Sequence, residues 1–173
     1  MKAIRSSYAL VLATVATLTL GAHPAAATGS HHQQACVRSK ALLDRNAQTV
    51  VAFYTTAFNF GKPELAVKRY VGVDRNGEKL YIQHNPFAAD GPQAFIDFVN
   101  FFKSANPELS VRIVRVIAEC DLVVTHSHLT VNSDDRGSAV MDIFRLDRRG
   151  KIVEHWDVAQ PIPETSANDN TMF

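Results

Sequence analysis

Four segments of alternating apolar and polar residues, at 110–118, 122–131, 138–147 and 152–160, constrain this chain more than any other feature. They are separated only by Glu119-Cys120-Asp121, residues 132–137 and Arg148-Arg149-Gly150. Those links are too short for crossover helices, so successive strands must pair antiparallel in a meander. A sheet of this kind buries one face and needs a cover for it.

The cover is legible upstream. Leu43, Ala47, Val50, Tyr54, Ala57 and Phe58 recur at spacings of three and four, which is helical periodicity. Gly61 stops that helix, and Pro63 opens a second, short one running to about Tyr70. Residues 72–79 form a loop with an Asn76-Gly77 turn, and 80–85 are extended and closed by Pro86. Asp90, followed by Pro92 and Gln93, is the expected cap of a third helix. Its apolar stripe is Phe95, Ile96, Val99 and Phe102, with Phe98 and Phe101 off the stripe, so burial on more than one side is expected. The expected fold class is α+β: three helices covering one face of a curved antiparallel sheet over residues 37–160, then an irregular tail at 161–173.

The first residues do not belong to that fold. Lys2 and Arg5 precede an uncharged, mostly apolar run at 8–20, and small residues follow up to Ala27. This is the layout of a cleavable signal peptide, with cleavage expected after Ala27. The apolar run reaches only about 20 Å as a helix, short of a bilayer core of about 30 Å. The expected location is therefore periplasmic or secreted, with no membrane contact after processing. Residues 28–36 read as a flexible polar leader.

Charge and composition exclude other classes. Eighteen Lys+Arg against 17 Asp+Glu leave no electrostatic footprint for nucleic acid. Ten Phe and a charged fraction of 20% exclude a disordered chain. Export would permit Cys36 and Cys120 to pair, although Cys36 near the mature N-terminus and Cys120 in a turn favour two separate cysteines. No CxxC, Gly-x-Ser-x-Gly, phosphate-binding loop or dinucleotide fingerprint occurs.

Several residues could carry chemistry. His126 and His128 share a strand face, as half of a metal site would, and His84, Glu154 or His155 could complete it. No acidic residue follows between Leu129 and Ser133, and no metal is expected. Asp142 alternates with Val140, Phe144 and Leu146, so its carboxylate points inward among apolar side chains. An unpartnered carboxylate there would favour its neutral, hydrogen-bond-donating form. Glu154 and Trp156 share the face of Ile152 and Val158, whereas His155 and Asp157 share the opposite one. Tyr54, on the apolar face of the long helix, needs a partner for its hydroxyl. His84 and Asn85 close the short extended piece.

Taken in order, these elements resemble the cone-shaped fold of the nuclear transport factor 2-like superfamily. The phrases YIQHNP, VVTHSHLTVNSDDRG, DIFRL and GKIVEHWDV resemble the SnoaL-like polyketide cyclase branch, including its predicted aldol-condensation enzymes, over roughly residues 40–173. A more distant relative, ketosteroid isomerase, is similar at Tyr54 before Asn59-Phe60-Gly61 and at Asp142-Ile143-Phe144-Arg145 before Gly150-Lys151. The resemblance implies that Tyr54 and Asp142 donate to an enolate oxygen. The isomerase base falls at Asn85, which is not basic, so a base must come from His126, His128 or Glu154. Where many relatives carry an acid beyond the last-strand tryptophan, this chain has Gln160. His84 and Asn85 would position substrate, with Phe144 and Trp156 as apolar wall. Three functions follow as expectations: a cofactor-independent enzyme acting on a small apolar carbonyl compound, a non-catalytic binding module, or a metal-dependent lyase or oxygenase. A homodimer through the open face of the sheet is implied by the resemblance.

Overall fold

In the computed structural model, which describes residues 39–173, four long strands form the expected meander. They are β2 (Ser110–Glu119), β3 (Leu122–Thr130), β4 (Ser138–Leu146) and β5 (Ile152–Pro161). The short strand β1 (Ile82–Gln83) adds to the edge of β5 in parallel, giving the order β1-β5-β4-β3-β2. The signal segment and the leader expected at 1–36 lie outside the described residues.

Helix α1 (Lys40–Tyr54) continues into a π-helical turn at Thr55–Asn59, closed by a bond from the Phe60 N–H to the Thr55 carbonyl. A π-turn inserts one extra residue into the helical register. Asn59 then donates to the Val111 carbonyl and accepts from the Val111 N–H, pinning this end of the helix to β2. Helix α2 (Pro63–Tyr70) begins at its proline as expected.

Helix α3 (Pro92–Ala105) departs from expectation at its start. Gly91, at φ 94°, holds the cap position. Asp90 instead accepts the Gln83 N–H, tying the loop to β1. Phe98 and Phe101 are substantially exposed, so α3 is buried along a single stripe.

The core lies between helices and sheet. Phe53, fully buried, packs against Tyr54, Tyr81, Phe95 and Phe144. Burial of such rings supplies most of the apolar stabilisation of a layer this size. Cys120, in the β2–β3 turn at φ 58°, is disulfide-bonded. Cys36, the chain's other cysteine, lies outside the described residues.

Candidate functional site

Regular alternation on β3 and a β-bulge on β5 decide which side chains face the helices. On β3, Val123, Thr125 and Ser127 point inward and are fully buried, so His126 and His128 point outward. On β5, Leu146 pairs with Ile152 but Arg145 pairs with Glu154, leaving Val153 as an extra residue. A bulge of this kind reverses the alternation beyond it. Ile152 is inward, but after the bulge it is His155 and Asp157 that face the cavity, and Glu154 and Trp156 face out.

The inward set converges below α1. The Tyr54 hydroxyl donates to Asp142 Oδ1 at 2.6 Å, and the Thr125 hydroxyl donates to Oδ2 at 2.9 Å. His155 Nε2 stands 3.2 Å from Asp142 Oδ1 and 3.3 Å from Tyr54 Oη. The tautomer follows from Gln83. Its Oε1 accepts the backbone N–H groups of His84 and Asn85, so it must also accept from His155 Nδ1, 3.2 Å away. With the Tyr54 proton directed at Asp142, one further proton joins Nε2 to Oδ1; without it, a lone pair would face a carboxylate.

Asp157 stands beside this group. It accepts from Asn85 Nδ2 at 2.6 Å, and Asn85 Oδ1 is oriented by the Phe87 N–H. Ligating atoms of Asp142, His155 and Asp157 lie within 4.8 Å of one another, the only such group among the described residues. An oxygen-and-imidazole set of this kind suits a divalent transition metal. An ion there would compete with the Tyr54 and Thr125 hydroxyls for the Asp142 oxygens, and with Asn85 for Asp157 Oδ1.

A cavity with two lobes opens over these side chains. The larger, about 270 Å³, is bounded by Tyr54, Asp142 and Ser127 on one side and Phe98, Phe102 and Leu129 on the other. The smaller, about 120 Å³, reaches Tyr81, Gln83 and His155. Tyr54, Phe58, Asn85, Phe98 and Asp157 border both. A wider groove of about 720 Å³ runs between α1 and α2, lined by Val51, Phe60 and Leu65, and presents no carboxylate or imidazole.

Burial, together with the Asp142 and Asp157 charges, pushes the Tyr54 and Tyr81 hydroxyls well above the ordinary tyrosine value. Both therefore remain hydrogen-bond donors.

Of the residues expected from sequence, Tyr54, Asp142 and Asn85 meet in the cavity. Phe144 is fully buried behind them, stacked on His155 with ring centres 4.6 Å apart, and supports the group without lining a lobe. His126 and His128 lie on the far side of the sheet. There Arg115 donates to His126 Nδ1 at 2.8 Å, and both imidazoles pack against Phe173. Glu154, His84 and Trp156 form a second outer cluster. Glu154 bonds His84 Nε2 at 2.8 Å and Arg145 Nε at 2.7 Å, and the Trp156 and His84 rings stack. The juxtaposition of His126, His128 or Glu154 with Tyr54 and Asp142 is thus corrected: a full sheet thickness separates them. Sequence reasoning weighed His155 only as a possible ligand to a metal at His126 and His128 and passed over Asp157, although their placement opposite Glu154 and Trp156 was the available signal.

The sequence model of the SnoaL-like domain family matches residues 39–155. Among solved structures, a proposed SnoaL-like polyketide cyclase from Jannaschia sp. CCS1 is 20% identical, with a TM-score of 0.54 over 70% of this chain and 89% of the other. TsrD from Streptomyces laurentii is 18% identical, with a TM-score of 0.51 over 70% of this chain and 90% of the other. A SnoaL-like protein of unknown function from Burkholderia thailandensis is 13% identical, with a TM-score of 0.53 over 71% and 98%. These structural likenesses show the fold, an α+β cone of helices on a curved sheet. No curated protein matches the chain.

Proposed function

The chain belongs to the SnoaL-like domain family, and we propose that it catalyses cofactor-independent proton transfer, of the aldol or isomerase type, on a small apolar carbonyl compound. The observation that carries this reading is the buried Tyr54–Asp142–His155 triangle with the Asp157 carboxylate beside it, at the junction of two apolar lobes. Asp157 is the base. It takes the proton from the carbon next to the carbonyl, the C–H electron pair moves into the enolate, and the same carboxylic acid returns the proton to carbon. The proton held between Asp142 and His155 stabilises charge that develops on the ligand oxygen, where preorganised donors act most strongly. Asn85, at the place the isomerase base would occupy, serves to orient Asp157.

A non-catalytic binding module is the second reading. It is favoured by the internal saturation of Asp142, whose oxygens already accept two hydroxyls. Deuterium exchange at the α-carbon of 2-tetralone, followed by NMR, separates the two. The enzyme accelerates exchange above the buffer rate, whereas the binder broadens ligand lines without accelerating it.

Export after cleavage near Ala27 is part of the proposal, and the disulfide at Cys120 accords with an oxidising compartment. We also place a homodimer contact on the outer sheet face, which exposes Ile117, Met141, Ile143 and Val158. Sedimentation equilibrium of the mature protein tests this, with a monomer at all concentrations as the contrary result.

A further inference from the structure

Three buried side-chain atoms lack a hydrogen-bond partner among the described residues: Asn46 Oδ1, Tyr81 Oη and Ser127 Oγ. Asn46 sits against the β2–β3 turn, where its Nδ2 donates to the Cys120 carbonyl, and it borders neither lobe. The other two line the cavity, Tyr81 in the smaller lobe and Ser127 in the larger. Tyr81 is 2% exposed and Ser127 fully buried. A hydroxyl held in such burial carries its whole desolvation cost unless something bonds to it. Neighbouring hydroxyls differ: Tyr54 and Thr125 both donate to Asp142.

We infer that Tyr81 and Ser127 are two polar anchors for the ligand, and that the ligand is a small cyclic ketone carrying a second hydroxyl or carbonyl oxygen. The ketone oxygen accepts from Tyr81 in the smaller lobe, and the second oxygen bonds Ser127 in the larger. Asp157 borders both lobes, so the carbon between the two anchors is the one that meets the base. Ser127 lies two residues along β3 from Thr125, the partner of Asp142. The aromatic wall of Phe58, Phe98 and Phe102 suits such a ring. Burial and the Asp142 and Asp157 carboxylates keep the Tyr81 hydroxyl protonated, hence able to donate.

The inference rests on the cavity being the ligand site, but its test reads binding and not turnover. Calorimetric titrations with 2-tetralone, 6-hydroxy-2-tetralone and 7-hydroxy-2-tetralone are made on wild type, Ser127→Ala and Tyr81→Phe. At least one hydroxylated tetralone should bind wild type about three- to tenfold more tightly than 2-tetralone. Ser127→Ala should erase that preference and leave 2-tetralone binding unchanged, while Tyr81→Phe should weaken all three ligands by a similar factor. Both variants should melt at or above the wild-type temperature, because neither removes an existing bond. No preference, no binding of any ketone at millimolar concentration, variants that bind like wild type, or a lowered melting temperature would each overturn the inference. Tetralones that bind with this pattern yet exchange no α-protons would leave it standing and count against the enzyme alone.

Discussion

The Tyr54 hydroxyl and the Asp142 carboxylate, 88 positions apart in the chain, meet at 2.6 Å in the floor of the cavity. Tyr54 stands at the last position of α1 before the π-helical turn, and Asp142 at the middle of β4, so this bond reports how the helix layer is seated on the sheet.

Removing either partner should therefore be costly. Tyr54→Phe leaves Asp142 with one hydroxyl donor fewer and should lower stability by about 1–3 kcal/mol. Asp142→Leu orphans two hydroxyls and an imidazole at once and should cost about 3–5 kcal/mol, more than the mild loss expected for an isolated buried acid. Asp142→Asn, which keeps an acceptor, should fall between wild type and leucine. Urea denaturation of the four proteins orders them.

High pH should unfold the protein through its buried tyrosines. The folded state holds the Tyr54 and Tyr81 protons well above the usual value near 10, so it binds more protons than the unfolded chain once pH passes that value. Their contribution is complete below about pH 10 and lost as pH rises toward the folded-state values. The tyrosinate absorbance of Tyr54 and Tyr81 should appear only together with loss of the near-UV circular dichroism. Early ionisation of all the tyrosines in folded protein would contradict this.

The β3–β4 turn depends on Gly137. Its φ is +76°, and a Cβ there would run into the Leu129 carbonyl oxygen. Neighbouring Asp135 accepts the Val131 and Gly137 N–H groups, which hold its carboxyl below the ordinary aspartate value. Gly137→Ala should cost about 2 kcal/mol or more, read as a shift in denaturation midpoint. A neutral alanine would show that the turn relaxes freely.

The bond at Cys120 predicts that the mature protein has no titratable thiol before reduction. Cys120→Ser should lower stability by about 2–4 kcal/mol in the oxidised protein. Intact mass of periplasmic material reports this and the proposed cleavage near Ala27 together. Two reactive thiols in that material would contradict the bond.

The meander and α2 were legible because periodicity and short polar links leave few alternatives; Tyr54 and Asp142 were brought to one site only by the resemblance to ketosteroid isomerase, and their direct bond to each other was not foreseen. The start of α3 was not, since Gly91 caps through its backbone while Asp90 reaches Gln83, a contact 7 positions away. Inward and outward faces of β5 were misread for one local reason. Ile152 belongs inside, and simple alternation carries Glu154 and Trp156 inside with it. The bulge at Val153, visible only in the pairing of Arg145 with Glu154 and Leu146 with Ile152, transfers that place to His155 and Asp157. His126 and His128 follow regular alternation on β3, but no pattern along one strand says which side the helices cover.

The assignment of Asp157 as the base is the centre of the account, and Asp157→Asn tests it most directly. Asparagine keeps the volume and can still accept from Asn85, so the fold should hold within about 1 kcal/mol. Deuterium exchange at the α-carbon of 2-tetralone should fall by about 10²–10⁴-fold relative to wild type, while the affinity for the ketone changes little. Exchange that is enzyme-accelerated in wild type and survives Asp157→Asn undiminished would contradict the account.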